Sequence, residues 1–270
     1  MGQGLRLGKG LVVLAMMVLA ALPAAACDGL RDGPKGTVGS VVDGDTLILD
    51  NGLAVRLVGI QAPHLALGRD GLSDWPKGED AKAQLERIAL GQKVLLRYGG
   101  AEKDRHGRLL AQVYLTESSG WVQRQMLGAG MARVYSFPDN RACMAELYAA
   151  EGKARLAKLG IWADPYYTVR RAERPADFAS LAGHFELVEG RVLAAQKTGG
   201  RVYLNFGRRF TEDFTVVIDQ KALRLFADDQ RDPLRLAGAL VRVRGWVDLA
   251  AGGPRIDISH PEQIEVLAVP

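Results

Sequence analysis

Apolar and polar residues alternate in short runs along two separate stretches of this chain, and segments of helical spacing break each stretch. The alternation predicts strands over 37–42, 46–49 and 53–58, with Asp50-Asn51-Gly52 as the hairpin turn between the last two. Ala81, Leu85, Ile88 and Ala89 then recur at the spacing of one helix face, which predicts a helix over 75–90 closed by Gly91. Strands over 93–97 and 109–116 follow. A helix over 121–129 carries Val122, Met126 and Leu127 on one face. A longer one over 141–159 sets Glu151 one turn from Arg155 and ends at Gly160. Five strands with a helix between the third and fourth is the order of an OB-type barrel.

The segment 168–182 is rich in Arg, Ala and Pro and lacks alternation, so it is expected to link two units. Strands are predicted again over 185–195, 201–206, 214–219, 239–249, 255–258 and 264–267, with a helix over 220–227. The expected fold class is mainly β with α: two OB-type five-stranded barrels, the first with flanking helices. The expected domain plan is an export signal with a candidate lipidation box over 1–27, a tether over 28–36 and the first barrel over 37–165. A linker over 166–183 and an OB-like accessory domain over 184–270 complete it.

A chain of 270 residues has room for two modest domains. Its formal net charge of +4 argues little for a polyanionic partner, because Arg6 and Lys9 belong to the leader. Between 37 and 168, 16 basic residues face 15 acidic ones, and between 183 and 268 twelve face twelve. Affinity for a polyanion must therefore come from local placement. Arg6 and Lys9 precede the apolar run 11–22, which is too short for a comfortable membrane span, and Ala24-Ala25-Ala26-Cys27 follows. That pattern reads as an export signal. Two endings stay open: cleavage after Ala26, or lipidation of Cys27 at a lipoprotein-like box. The expected location is the periplasm, either free or tethered to the inner membrane through the lipid. Cys143 lies in a helical pattern and reads as a small buried apolar residue. A Cys27–Cys143 disulfide is the alternative in an oxidising compartment, and it would exclude lipidation.

Three segments of the first stretch carry chemistry: Asp43-Gly44-Asp45-Thr46, then Arg56 through Pro63, then Asp104-Arg105-His106-Gly107-Arg108. Gly44 allows a tight bend flanked by two carboxylates. Arg56 ends a strand one hairpin away and can lie beside Asp45. Asp104 and Arg108 bracket a Gly-bearing turn that presents Arg108 as a fork suited to a phosphate. Acidic oxygens for a hard cation and two guanidiniums for a phosphoryl group are the parts that phosphodiester hydrolysis needs. Each segment alone is commonly a turn or a surface ion pair.

In this order, the three segments resemble the staphylococcal nuclease (thermonuclease) family over about 37–165. The resemblance implies an OB-type barrel with three helices that hydrolyses DNA or RNA with a divalent cation, Ca²⁺ in the family. It implies Asp45 as a metal ligand and Arg56 and Arg108 as the catalytic arginines. Asp43 and Asp104 are implied as supports of their own loops. Gln61 stands where the family has a second acidic ligand, and Ala62, where it has Thr, still offers a carbonyl. His64 replaces the catalytic Glu. His106 and Tyr135, with Phe137, match positions beside the substrate base.

The departures at Gln61 and His64 leave three readings open. His64 serves as the base in kind, or it shifts the metal preference toward Mn²⁺ or Zn²⁺, or catalysis is lost and a phosphate pocket remains. The leading expectation is an exported metal-dependent nuclease. The alternative is a catalytically inactive envelope protein whose OB-like barrels bind nucleic acid or a protein partner. In the second stretch Arg191, Arg201, Arg208, Arg209, Arg242 and Arg244 alternate with Tyr203, Phe206 and Trp246. That suits a single-strand-binding face and, equally, the solvated face of an ordinary barrel. Trp75, Trp121 and Trp162 are expected in the core, and His184 and His260 are assigned no role.

Overall fold

The computed structural model describes residues 27–269 apart from 28, 69–70, 72, 210, 230 and 250–252. Residues 1–26 of the export signal expected over 1–27 lie outside the described residues. Strands β1 (Arg31–Asp43), β2 (Thr46–Leu49) and β3 (Ala54–Leu57) come first, followed by the short β4 (Gly59–Gln61) and helix α1 (Gly78–Ala89). Then come β5 (Lys93–Tyr98) and β6 (Leu109–Leu115), and five of these strands close a barrel in the order β1-β2-β3-β6-β5. Alternation fills it: Leu47 and Leu49, Val55 and Leu57, Val94 and Leu96, Ala111 and Val113 are all buried. Burial of each larger aliphatic side chain contributes about 1.5–3 kcal/mol. Helix α1 lays Ala81, Leu85 and Ala89 onto the barrel. It starts three residues later than predicted because Lys77 takes a left-handed φ of 69°.

The expected tether over 28–36 is mostly strand. β1 begins at Arg31 and pairs with β5 through Arg31↔Tyr98, Asp32↔Arg97 and Lys35↔Leu95. An Arg97–Asp32 ion pair at 2.8 Å and a Cys27–Cys143 disulfide, Cα atoms 5.2 Å apart, pin this end. The disulfide corrects two expectations. The Cys27 sulfur that a lipid thioether would require is bonded to Cys143, and Cys143, half-buried against the first core, is a cross-link as well as a packing residue.

Past β3 the chain leaves the barrel at Gly59, whose φ of 87° suits glycine and whose missing Cβ would sit 2.6 Å from Leu147 Cδ1. β4 then forms a two-stranded ribbon with β7 (Arg133–Tyr135), pairing Gly59↔Tyr135, Ile60↔Val134 and Gln61↔Arg133. Helices α2 (Val122–Gly128) and α3 (Met144–Leu156) flank it. The longer predicted helix loses its first turn because Cys143 also has a left-handed φ of 69°. Trp121 is buried as expected, whereas Trp75 and Trp162 are only half-buried.

The second half contains β8 (Arg170–Arg171), inside the expected linker, then β9 (Phe185–Arg191), β10 (Ala194–Thr198), β11 (Arg201–Asn205) and β12 (Thr215–Ile218). Helix α4 (Gln220–Asp228), capped by Asp219, precedes β13 (Leu240–Asp248), β14 (Arg255–Ile258) and β15 (Ile264–Ala268). The predicted strand over 185–195 splits at Val192, whose N–H turns to the Ala239 carbonyl. These strands form one sheet in the order β10-β11-β12-β14-β13-β9-β8, with β15 on β13. Among the described residues no pairing closes these strands into the expected second five-stranded barrel.

The two halves meet through buried charge. Arg244 of β13, 1% exposed, donates to both Glu151 oxygens of α3 at 3.1 and 3.0 Å and to the Val134 carbonyl at 3.0 Å. Arg242 pairs with Glu189 and Glu265. Neither arginine lies on the free basic face that alternation suggested. His260, given no role from sequence, is buried at this seam, bonded to the Ser136 hydroxyl at 2.6 Å. Burial pushes it down to about 4, so its ring is neutral there.

Candidate active site

Gly44 matters through close approach. A Cβ there would meet Ala62 Cβ at 2.5 Å and Ala81 Cβ at 2.8 Å, so only glycine lets the turn after β1 press on the segment after β4. That contact brings the Asp45 carboxylate, 7% exposed, against the Ala62 N–H at 2.8 Å. The hairpin register Thr46↔Arg56 brings Arg56 Nη2 to the same carboxylate oxygen at 3.0 Å. Arg56 Nη1 donates to the Leu57 carbonyl at 2.8 Å, which fixes the plane of the guanidinium. Asp43 accepts from the Asp45 N–H at 3.1 Å and so shapes the bend.

Burial and then the charge of Asp43 push Asp45 up to about 7, against the pull of Arg56 and the Ala62 N–H. A carboxyl that ionises near 7 in the fold and near 3.8 in the open chain binds its proton more tightly when folded. Its contribution to stability therefore falls as pH rises between those values. In chelator, the urea midpoint of Asp45→Asn is expected to lose less between pH 4 and pH 7 than that of the unsubstituted protein. Parallel pH curves for the two would contradict the assignment.

Arg108 is set by its own loop. Its Nε donates to Asp104 Oδ2 at 2.8 Å, and the Arg108 and His106 N–H groups donate to Oδ1 at 3.0 and 2.8 Å. Burial works to raise Asp104, but these hydrogen bonds outweigh it and hold the carboxyl below its ordinary value. The two Nη groups of Arg108 are left as donors. Asp45, Arg56, Gln61, Ala62, His64 and Arg108 line one cavity of about 170 Å³, with Asp43 and Pro63 completing its wall. The Gln61 Oε1 atom is buried there with no hydrogen-bond partner. His64 sits edge-on to Trp75, ring centroids 6.0 Å apart, and its carbonyl accepts the Trp75 N–H at 2.8 Å.

Two expected residues lie elsewhere. His106 is exposed on the outer side of its turn and takes a hydrogen bond from Arg105 at 3.1 Å. Tyr135 packs against Phe137, Phe185 and Trp246, receives a bond from the Trp246 indole at 3.2 Å, and borders a separate cavity of about 80 Å³. A base-stacking role for either is not supported by the cavity lining. Sequence reasoning missed Trp75 as the neighbour of His64 and missed Arg133 behind it. Neither has a local signature, because each acquires its surroundings from segments far along the chain.

Among the described residues no cluster of three or more His, Cys, Asp or Glu side chains gathers to hold a metal. The donors that do converge, the Asp45 carboxylate, nearby Asp43 and the orphaned Gln61 oxygen, are hard oxygens. That set, with a buried acceptor lacking a donor, fits a hard divalent cation.

The family described as staphylococcal nuclease homologue matches residues 54–164. The thermonuclease of Staphylococcus hyicus is 29% identical over 127 residues, 46% of this chain and 73% of that protein. The thermonuclease of Staphylococcus intermedius is 30% identical over 133 residues, 48% of this chain and 77% of that protein. Endonuclease YncB of Bacillus subtilis is 31% identical over 140 residues, half of this chain but only 64% of its own length, under two thirds.

Proposed function

Since this chain belongs to the staphylococcal nuclease homologue family, we propose that it hydrolyses phosphodiester bonds of nucleic acid as an exported, divalent-cation-dependent enzyme. One observation carries the reading: a buried carboxylate, two guanidiniums, an orphaned amide oxygen and an imidazole converge on one small cavity. A scaffold that only filled space would gain nothing from collecting them.

In this reading Arg56 and Arg108 bind the non-bridging phosphoryl oxygens and hold them as charge grows in the transition state. Asp45 and Gln61, with the Ala62 carbonyl and with Asp43 behind, are the residues that would hold the cation. Bound there, a cation supplies positive charge to the phosphate and lowers the pKa of water. His64 takes the proton from the attacking water as the new oxygen–phosphorus bond forms. The opposite phosphorus–oxygen bond breaks, and its oxygen leaves and is protonated from solvent. Loss of one anionic ligand at Gln61 weakens affinity for Ca²⁺, so a working metal need not be calcium. The Cys27–Cys143 disulfide supports export into an oxidising compartment, the periplasm in a cell with two membranes.

Gln61 and His64 also support a second reading, a binding protein that has lost cleavage. One assay separates the two, using oligonucleotides with Ca²⁺, Mg²⁺, Mn²⁺ or chelator. The hydrolytic reading expects cleavage with at least one metal, none in chelator, and a loss of roughly 10²-fold or more in kcat for His64→Ala. Retained polyanion binding without cleavage in any metal would favour the second.

A further inference from the structure

Resting on the hydrolytic reading above, we propose that Arg133 is a positioning residue through which the second half of the chain seats the active-site segment 61–64. Arg133 is 3% exposed, and arginine is rarely buried without a dedicated reason. Its Nη1 donates to the Phe185 carbonyl at the start of β9, at 2.7 Å. Its guanidinium faces the rings of Phe185 at 5.0 Å, Tyr167 at 5.1 Å and Trp75 at 5.9 Å. The cage therefore combines one ring beside His64 with two from the segments that lead into the second half.

Arg133 reaches the site by two routes. Its backbone is paired with Gln61 across the β4–β7 ribbon, and Gln61 leads directly to the Ala62 N–H that binds Asp45. Its side chain supports Trp75, which borders His64. Tyr167, another wall of the cage, donates its hydroxyl to the Pro76 carbonyl at 2.5 Å and so fixes the same loop from its far end. The rest of β7 is also held from the second half: Val134 by Arg244 and Tyr135 by Trp246. All three residues of the strand thus contact the second half, while their partner strand delivers Gln61, Ala62 and His64 to the cavity. Arg133 does not line that cavity, so it acts through these neighbours and touches no substrate.

The test uses the full chain. Arg133→Met is expected to lower kcat on a single-stranded oligonucleotide at least tenfold with KM within twofold, because Arg56 and Arg108 still bind phosphate. It should also weaken Mn²⁺ binding measured by calorimetry at least threefold, as Gln61 shifts. Arg133→Lys, which keeps a cation in the cage, should recover part of both. Phe185→Leu alters the cage from the second half's side, together with the ring packing on Tyr135, and should move both readings in the same direction by a smaller factor, whether or not Arg133→Met folds. Unchanged kcat and unchanged Mn²⁺ affinity in folded Arg133→Met or Phe185→Leu, even with a lower Tm, would overturn the proposal. If the unsubstituted protein proves unable to cleave, the hydrolytic reading fails, and the Mn²⁺ and Trp75 emission responses still decide whether Arg133 sets the segment. If it also binds no Mn²⁺, Trp75 emission decides alone: the component that Trp75→Phe removes must differ between the unsubstituted protein and Phe185→Leu, and an identical component overturns the proposal.

Discussion

Arg56→Ala is expected to reduce kcat/KM on nucleic acid by about 10²–10³-fold, the size of effect that follows loss of one preorganised donor to a developing anion. Two contributions act together. The guanidinium is immobilised by Asp45 at 3.0 Å and the Leu57 carbonyl at 2.8 Å, so its remaining donors would need no further ordering to meet a phosphate. It is also the charge that most opposes protonation of Asp45, which burial has already pushed to about 7. Without it Asp45 rises further, is protonated at neutral pH and is lost as an anionic ligand. Arg56→Lys separates the contributions: an ammonium restores charge beside Asp45 but not the planar fork. It should regain cation binding more fully than cleavage. Single-turnover cleavage and calorimetric Mn²⁺ titration of both variants make the comparison. Arg56→Ala with more than a tenth of the original rate would remove Arg56 from the chemistry.

The barrel and the heart of the site were legible because both rest on short-range rules. A strict alternation such as Leu47, Leu49 and Val55, Leu57 can satisfy one register only, and that register places Thr46 opposite Arg56. What the sequence concealed has identifiable physical causes. β4 and β7 are three residues each, too short to show a period, and their existence depends on the turn at Gly59. The stretch around Gly33 and Pro34 reads as loop by composition. It is nonetheless strand, because a register shift between Asp32 and Lys35 absorbs the proline and the disulfide holds the end. Arg133, Arg242 and Arg244 look like solvated residues of ordinary strands. Their burial is decided by Phe185, Glu189 and Glu151, none of them close neighbours in the chain. Local pattern reports which face a residue takes, and it is silent on whether another layer covers that face.

Arg244→Ala is expected to destabilise the protein by about 3–5 kcal/mol, because it leaves one member of a buried ion pair behind. Glu151 is fully buried, and of the groups that satisfy it the Val134 N–H at 2.7 Å and Arg155 at 3.2 Å would remain. Burial acts to raise Glu151, and Arg244, aided by the Val134 N–H and Arg155, more than reverses this, holding the carboxyl below its ordinary 4.5. A carboxyl lowered in this way lends stability above its unfolded value and withdraws it as pH falls through the folded one. In Arg244→Met only the Val134 N–H and Arg155 are left to oppose burial, so Glu151 should rise instead, and the variant should lose stability as pH climbs above that unfolded value. Urea unfolding between pH 4 and 8 reads this crossing of slopes directly. The double change Arg244→Met with Glu151→Gln removes both charges and should recover much of the loss, since a neutral pair avoids the stranded ion. Because the same guanidinium grips the Val134 carbonyl in the ribbon behind Gln61, the double variant should regain stability without regaining full cleavage. Equal recovery of both would mean that the seam between the halves holds the fold together and has no hold on the site.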